Sequence, residues 1–417
     1  MVLSLALSFS IGTLASFTGC SGRKRTNPLD PENPQTEGRP IGLRILSDGN
    51  RVQLSWDRVE IPGITGYQVY RKAVHEASAV TAGLVRGNLP EFSESGLPMG
   101  VRQDYWVQAC HESGYMSPLS DSVTIMPGPY NFWVVDVYLG QLFRLTYDGM
   151  HVLARSHEAL WAVSMAVDPA HGRIYAVDYI PGRVIQMSVS GEMLRIYEGF
   201  ERPSLLAIDP EAGEIWVAEG AGTRITRLDT LGNGIGSFTG FSHIRDMAWS
   251  GQRGRFWIAD NGDRKIGLYS ADGGWVFSAD AYSSQYCRIA CDTDDRYMLA
   301  CDSLWLRRMA CGGESETFGP YPGLPADVAV NPDNEGIWVL IADLLTANTE
   351  LFSLDPSGGV RFGAGEFLSA RGLAADPFGG GCLVSDTGRH RMVRVDAAGR
   401  IMGVMEGLDS PREVYVE

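Results

Sequence analysis

Seven short apolar runs in the C-terminal part of this chain end at Asp168, Asp209, Ser250, Asp292, Asn331, Asp376 and Glu417. Four or five places before each end the sequence turns polar: Ser164, Ser204, Arg245 with Asp246, Arg288, Asp327, Arg371, and Arg412 with Glu413. If these runs are innermost strands around one axis, four arginines and three acids converge on a ring. A guanidinium offers a fork of N–H donors that matches carboxylates and other planar anions. Such a ring could therefore hold a peptide, a glycan or a small anion. The same charges could instead satisfy only one another and seal a channel with salt bridges. Spacing leaves both readings open.

Other chemistries lack a constellation. The histidines beyond residue 130 are His151, His157, His171, His243 and His390, and only His157 and His243 fall near strand entries that would face the ring. Two such groups are too few for a zinc or calcium site. Neither a Gly-Lys phosphate loop nor a Gly-x-Ser-x-Gly nucleophile turn is present. Cys287, Cys291, Cys301 and Cys311 are spaced by 4, 10 and 10 residues, unlike the C-x2-C pairs of zinc sites. In a hairpin turning at Asp294-Asp295, Cys287 and Cys301 fall nearly opposite each other. That placement is open to a cross-strand disulfide in an oxidising compartment, or to small core residues at Cys291 and Cys301. A net charge of −15 argues against a nucleic-acid or anionic-membrane surface.

The elements that must position the ring repeat along the chain. Asp136, Asp178, Glu219, Asp260 and Asp302 each end a second kind of apolar run, at steps of 42, 41, 41 and 42 residues. The first series steps by 41, 41, 42, 39, 45 and 41. Each unit reads as four short strands joined by turns such as DPAHG and DPFGG, where Pro and Gly supply fixed or positive φ. A period near 40 built from strands signals the blades of a β-propeller rather than a solenoid. Second strands occur seven times, at 132–136, 174–178, 215–219, 256–260, 297–302, 337–343 and 382–386, while the last first strand is the C-terminal 412–417. The expectation is a seven-bladed propeller over 130–417 whose opening blade is completed by the C-terminal strand; six blades with one degenerate unit is the alternative. The outline of a strand ending Val-Ala-Asp, a loop, and an Arg-Ile strand resembles the NHL repeat. A long polar side chain follows each acid by five places (Asp136–Gln141, Asp178–Arg183, Glu219–Arg224, Asp260–Lys265, Asp302–Arg307, Asp386–Arg391), which reads as a surface loop fastener. In the sixth unit the longer segment IADLLTANTELF breaks this pattern, as an insertion or a recognition loop.

The N-terminal part reads as an address and a spacer. Residues 2–17 are apolar and uncharged and precede Thr18-Gly19-Cys20, as in an export signal over 1–20. Phe17-Thr18-Gly19-Cys20 resembles a bacterial lipoprotein box, which implies lipidation at Cys20; a plainly secreted protein is the alternative. Residues 21–38 carry three prolines and almost no large apolar side chain, so a disordered tether is expected. Alternation at Val52, Leu54 and Trp56, at Tyr67, Val69 and Arg71, and at Tyr105, Val107 and Ala109 marks short strands, with a last strand between Gly114 and Asp121. Over 39–127 these features resemble a fibronectin type III module, with Tyr105 in the place of the corner tyrosine. The fold class is therefore all-β, a fibronectin-like β-sandwich followed by a propeller. Function is expected to be binding, by a monomer in the cell envelope, of a protein, peptide or glycan partner. A cofactor and a metal are not expected; a metal-dependent propeller hydrolase or lyase is the rival class.

Overall fold

The computed structural model describes residues 25–157, 160–252, 254–280, 288–291, 297–331, 336–343 and 345–417. Cys20 and Cys287 lie outside them, and with them the expected lipidation, the signal segment and the disulfide. The described chain is nearly all β, with only two short 3-10 turns, Pro169–His171 and Thr387–Arg389. None of its helices is long and apolar enough to cross a membrane.

Residues 44–125 form two facing sheets, one of three strands and one of four. The strand period of two puts Ile45, Val52 and Leu54 of one sheet against Tyr67, Val69, Tyr105, Val107 and Ile125 of the other, in one buried core. The final strand is Val123–Ile125 rather than 114–121, where only a single bridge, Cys110 to Met116, forms. The Tyr105 hydroxyl donates to the Glu94 carboxylate at 2.7 Å, and Arg71 pairs with the other oxygen of Glu94. The sequence reading placed this tyrosine in a corner motif, where the partner would be backbone.

The expected tether needs correction over 25–38. Asn27-Pro28-Leu29, Asp30-Pro31-Glu32 and Asn33-Pro34-Gln35 are three successive Asx turns. In each, the Asx side chain accepts from the N–H two residues on, at 2.9 Å. The segment thus satisfies its own backbone, and Leu29 anchors it in the sandwich core.

Residues 132–416 build seven four-stranded antiparallel sheets among the described residues. The second strands FWVVD, IYAVD, IWVAE and FWIAD are buried almost throughout, because each sheet is covered on both faces by its neighbours. Trp133, Trp216, Trp257 and Trp338 fill these inter-sheet layers, with Trp216 stacked on Phe256 at 4.1 Å. The outermost strands alternate instead, as in Gly274–Asp280. First strands touch one another in cyclic order: Ala162–Asp168, Leu205–Asp209, Ile244–Trp249, Ile289–Cys291, Leu324–Val330, Gly372–Ala375, Pro411–Val416, and back to the first. The last of these belongs to the opening sheet, where Val414, Tyr415 and Val416 pair with Val134, Trp133 and Phe132.

Five of the recurring acids at the second-strand ends, Asp136, Asp178, Glu219, Asp260 and Asp386, are buried, not superficial, and their chief partners are backbone N–H groups; the Asp302 side chain lies outside the described ones. Asp178 accepts from Trp161, Glu219 from Glu201, Asp260 from Ser242 and His243, and Asp386 from Leu368. In each case the donor lies 17 or 18 residues upstream, in or at the start of the segment that leads into the first strand of the same sheet. Asp136 makes the same clasp across the whole array: it accepts from Asp409 at 2.7 Å and Ser410 at 3.0 Å. Among the described side chains three of the expected acid–base pairs form as well, Asp178–Arg183, Glu219–Arg224 and Asp386–Arg391, while the expected Asp302–Arg307 pair falls outside them. Gly140, Gly182 and Gly222, at positive φ, follow three or four places behind their acids. Their carbonyls accept from Leu160, Phe200 and Ile244 of the next sheet, and a Cβ at Gly182 would lie 2.4 Å from the Phe200 carbonyl.

Candidate functional site at the channel mouth

The first strands bring all seven predicted mouth residues to one end of the ring, and there they separate into two groups. Arg288, from the fifth sheet, reaches across the axis to Glu413 of the opening sheet, with Nη2 2.5 Å from Oε1. Asp246 and Asp327 face the same guanidinium from the fourth and sixth sheets, and all three carboxylates interact with it electrostatically. The Glu413 charge, opposed by burial, holds the Arg288 guanidinium far above its ordinary value. These four residues make a plug, so for them the self-satisfied reading holds.

The two aspartates have a further duty. Asp246 accepts from the N–H of Ile289 in the next sheet at 2.8 Å, and Asp327 from that of Leu373 in its next sheet at 2.9 Å. Ser164 does the same for Leu206, and the Tyr415 hydroxyl for Met165. First strands crowd the axis without a ladder between them, and these side chains supply acceptors for their exposed donors. Burial and the nearby Glu413 charge push the Asp327 carboxyl up to about 8, against the pull of Arg288. Burial raises Asp246 too.

Arg245, Arg371 and Arg412 form the second group and stand exposed on the rim. Arg371 and Arg412 enter adjacent sheets, the seventh and the first, and neither has a carboxylate within salt-bridge distance among the described residues. A cavity of about 390 Å³ opens between rim and plug. Arg245, Arg371 and Arg412 line it, with Arg288 and Glu413. Val137, Val163, Leu205 and Ile244, with Tyr179, supply apolar wall. His243 stands at the edge, its Nδ1 3.0 Å from the Ala221 carbonyl. The mouth is thus basic in a chain of net charge −15.

His157, expected near the mouth, lies instead in a cleft of about 830 Å³ between the sandwich and the opening sheet. That cleft is larger, and the buried arginine at its back, Arg144, is already engaged. Arg144 holds Glu417 with bonds of 2.6 and 2.7 Å and reaches Asp48 of the sandwich at 3.4 Å. Asn131 also donates to Asp48, at 3.0 Å. Nothing in the spacing of these residues announced this clamp. Cys301 is buried and Cys291 half-buried, both packed among apolar side chains, and Cys110 is half-buried. Among the described residues no group of three or more His, Cys, Asp or Glu is placed to hold a metal ion. Asp343 turns the sixth-unit loop by accepting from Leu345 and Thr346, and Leu345 projects with 94% of its surface exposed.

No protein-family profile and no curated protein matches the sequence. Solved structures do resemble the fold. A functionally unknown protein from Desulfotomaculum acetoxidans superposes with a TM-score of 0.57 at 14% identity, covering 69% of this chain and 98% of that one. A provisional 6-phosphogluconolactonase from Bacteroides uniformis gives 0.56 at 15% identity, covering 69% and 99%. Another from Bacteroides fragilis gives 0.53 at 14%, covering 69% and 98%. At such identities the likeness speaks to architecture alone, and that architecture is an all-β, propeller-like ring.

Proposed function

We propose that the chain is an exported, lipid-anchored binding protein that recognises a protein, peptide or glycan partner at the mouth of a seven-bladed, NHL-like propeller. In this reading Cys20 carries the lipid, the fibronectin-like sandwich spaces the ring from the membrane, and the partner comes from the envelope or the extracellular space. The observation that carries it is the contrast between plug and rim. Arg288, Glu413, Asp246 and Asp327 consume one another and the neighbouring backbone, whereas Arg371 and Arg412 open onto a cavity with no carboxylate of their own. Cations left beside a partly apolar cavity are a recognition surface for a group of opposite charge.

The test uses the purified chain to capture partners from envelope extract, with and without Arg245→Ala plus Arg371→Ala. Both arginines are exposed, so the double variant keeps its circular dichroism and melting temperature but loses the captured partner. Capture unchanged by the double variant would remove the mouth from the account. A hydrolytic activity requiring stoichiometric zinc or calcium would favour the rival class.

A further inference from the structure

The mouth is lopsided and blind, and both properties bear on what can enter it. Its floor is closed by the Arg288–Glu413 bridge across the axis, so a chain cannot thread through. Arg371 and Arg412 enter neighbouring first strands, of the seventh and opening sheets, whose backbones touch at Gly372, while Val163 and Leu205 come from the second and third sheets. On that apolar side the surface continues outward. Val137 leads to Tyr138, 77% exposed, Tyr179 leads to Ile180, 63% exposed, and Trp161, 58% exposed, directly precedes the strand bearing Val163. Trp161 and Tyr179 are tied by a backbone hydrogen bond of 3.1 Å, so these side chains share one rim. Contiguous exposed apolar groups beside a pocket mark a contact surface.

Resting on the mouth reading, we propose that the occupant is the C-terminal end of a polypeptide. Its terminal carboxylate lies between Arg371 and Arg412, its last apolar side chain against Val163 and Leu205, and its preceding residues across Trp161 and Tyr138. A blind cavity admits a chain end and excludes a passing loop. The unpaired guanidinium pair selects the carboxylate end over the amino end. The apolar rim outside the cavity requires an occupant that extends beyond it, which a free small carboxylate does not.

The experiment displays an array of tetrapeptides with free, apolar C-termini beside the same sequences as carboxamides, and measures binding of the full chain. The leading peptides are then titrated in solution, with N-acetylphenylalanine as the small-acid probe. Acids are expected to bind about ten- to a hundredfold more tightly than their amides, the worth of charge-assisted hydrogen bonds. Arg371→Gln with Arg412→Gln brings each acid to the level of its amide. Trp161→Ala weakens the peptides but not N-acetylphenylalanine. Equal binding of acids and amides, no acid-selective sequence in the array, or peptide affinity no greater than that of N-acetylphenylalanine overturns the proposal. Those results leave the mouth as a recognition surface if the Arg245→Ala, Arg371→Ala variant still loses its partner. Failure of that variant to change capture sinks the broader reading instead.

Discussion

Asp136 should be the costliest of the recurring acids to remove, because it alone fastens two ends of the array that no peptide bond joins. Its carboxylate is fully buried and accepts three backbone N–H groups: Leu139 at 3.0 Å, Asp409 at 2.7 Å and Ser410 at 3.0 Å. Hydrogen bonds to a charged acceptor are each worth about 1.5–3 kcal/mol net, and a buried donor left without a partner costs about 1–3 kcal/mol. The three bonds are not additive, so Asp136→Ala should destabilise by about 3–5 kcal/mol. In a unit of this size that corresponds to a fall in Tm of about 6–15 °C. Calorimetry measures the fall. Trypsin followed by mass spectrometry reports its cause, since Arg412 lies within the closing strand Pro411–Val416. In the wild type that bond lies between Pro411 and Val414, both paired with the Phe132–Asp136 strand; in Asp136→Ala the strand should lift and the bond be cut earlier. Asp178→Ala is the control: it removes a clasp of the same design between covalently continuous strands and should release no fragment. An Asp136→Ala protein that melts within ~1 °C of the wild type, with Arg412 still protected, would refute the closure mechanism.

Three further outcomes are expected. Asp327 keeps in the folded chain a proton that the unfolded chain releases above its ordinary value of 3.8, and loses it only near 8. Wild-type stability should therefore fall as pH rises from about 4 to about 8, and Asp327→Asn, neutral throughout, should flatten that slope in denaturant titrations at pH 5 and pH 8.5. Arg144→Ala leaves the Glu417 carboxylate half-buried and uncompensated and cuts the sandwich loose at Asp48; a loss of about 2–4 kcal/mol in guanidinium unfolding is expected, and no loss would dismiss the clamp. Gly182→Ala meets both a φ of 70° and the Phe200 carbonyl, so it should cost about 2 kcal/mol or more, against a smaller loss of about 1 kcal/mol at Gly407, whose Cβ would meet open space and whose φ of 93° isolates the backbone share.

Much of this architecture is written in the sequence at the level of period. Counting back from the strand-ending acids picks out the charged side chains at the starts of the first strands, because register along a strand is fixed by a repeat of two, but it says nothing of Val137, Tyr179 or His243, which line the same cavity. What the acids hold was not legible. Spacing shows neighbours five places on, such as Arg183 after Asp178, but cannot show that the entry loop folds over the carboxylate and presents the Trp161 N–H. The split between plug and rim was equally hidden. Whether Arg288 pairs with Glu413, 125 residues away, depends on how closely the first strands approach the axis. Leu29 was missed for a different reason: one apolar side chain has no period, and the self-bonded Asx turns that carry it to the core look like a polar linker. The interdomain clamp of Arg144, Asp48 and Glu417 joins three segments with no shared pattern.

The most direct measurement of the central claim is site-specific photocrosslinking in living cells, with a photoreactive phenylalanine analogue at Tyr179 on the mouth and, separately, at Leu231 on an outer turn, 64% exposed. The account predicts a discrete partner adduct from position 179, abolished by Arg371→Gln with Arg412→Gln, and none from position 231. An adduct from position 231 with none from 179, or one at 179 indifferent to the arginines, would contradict it.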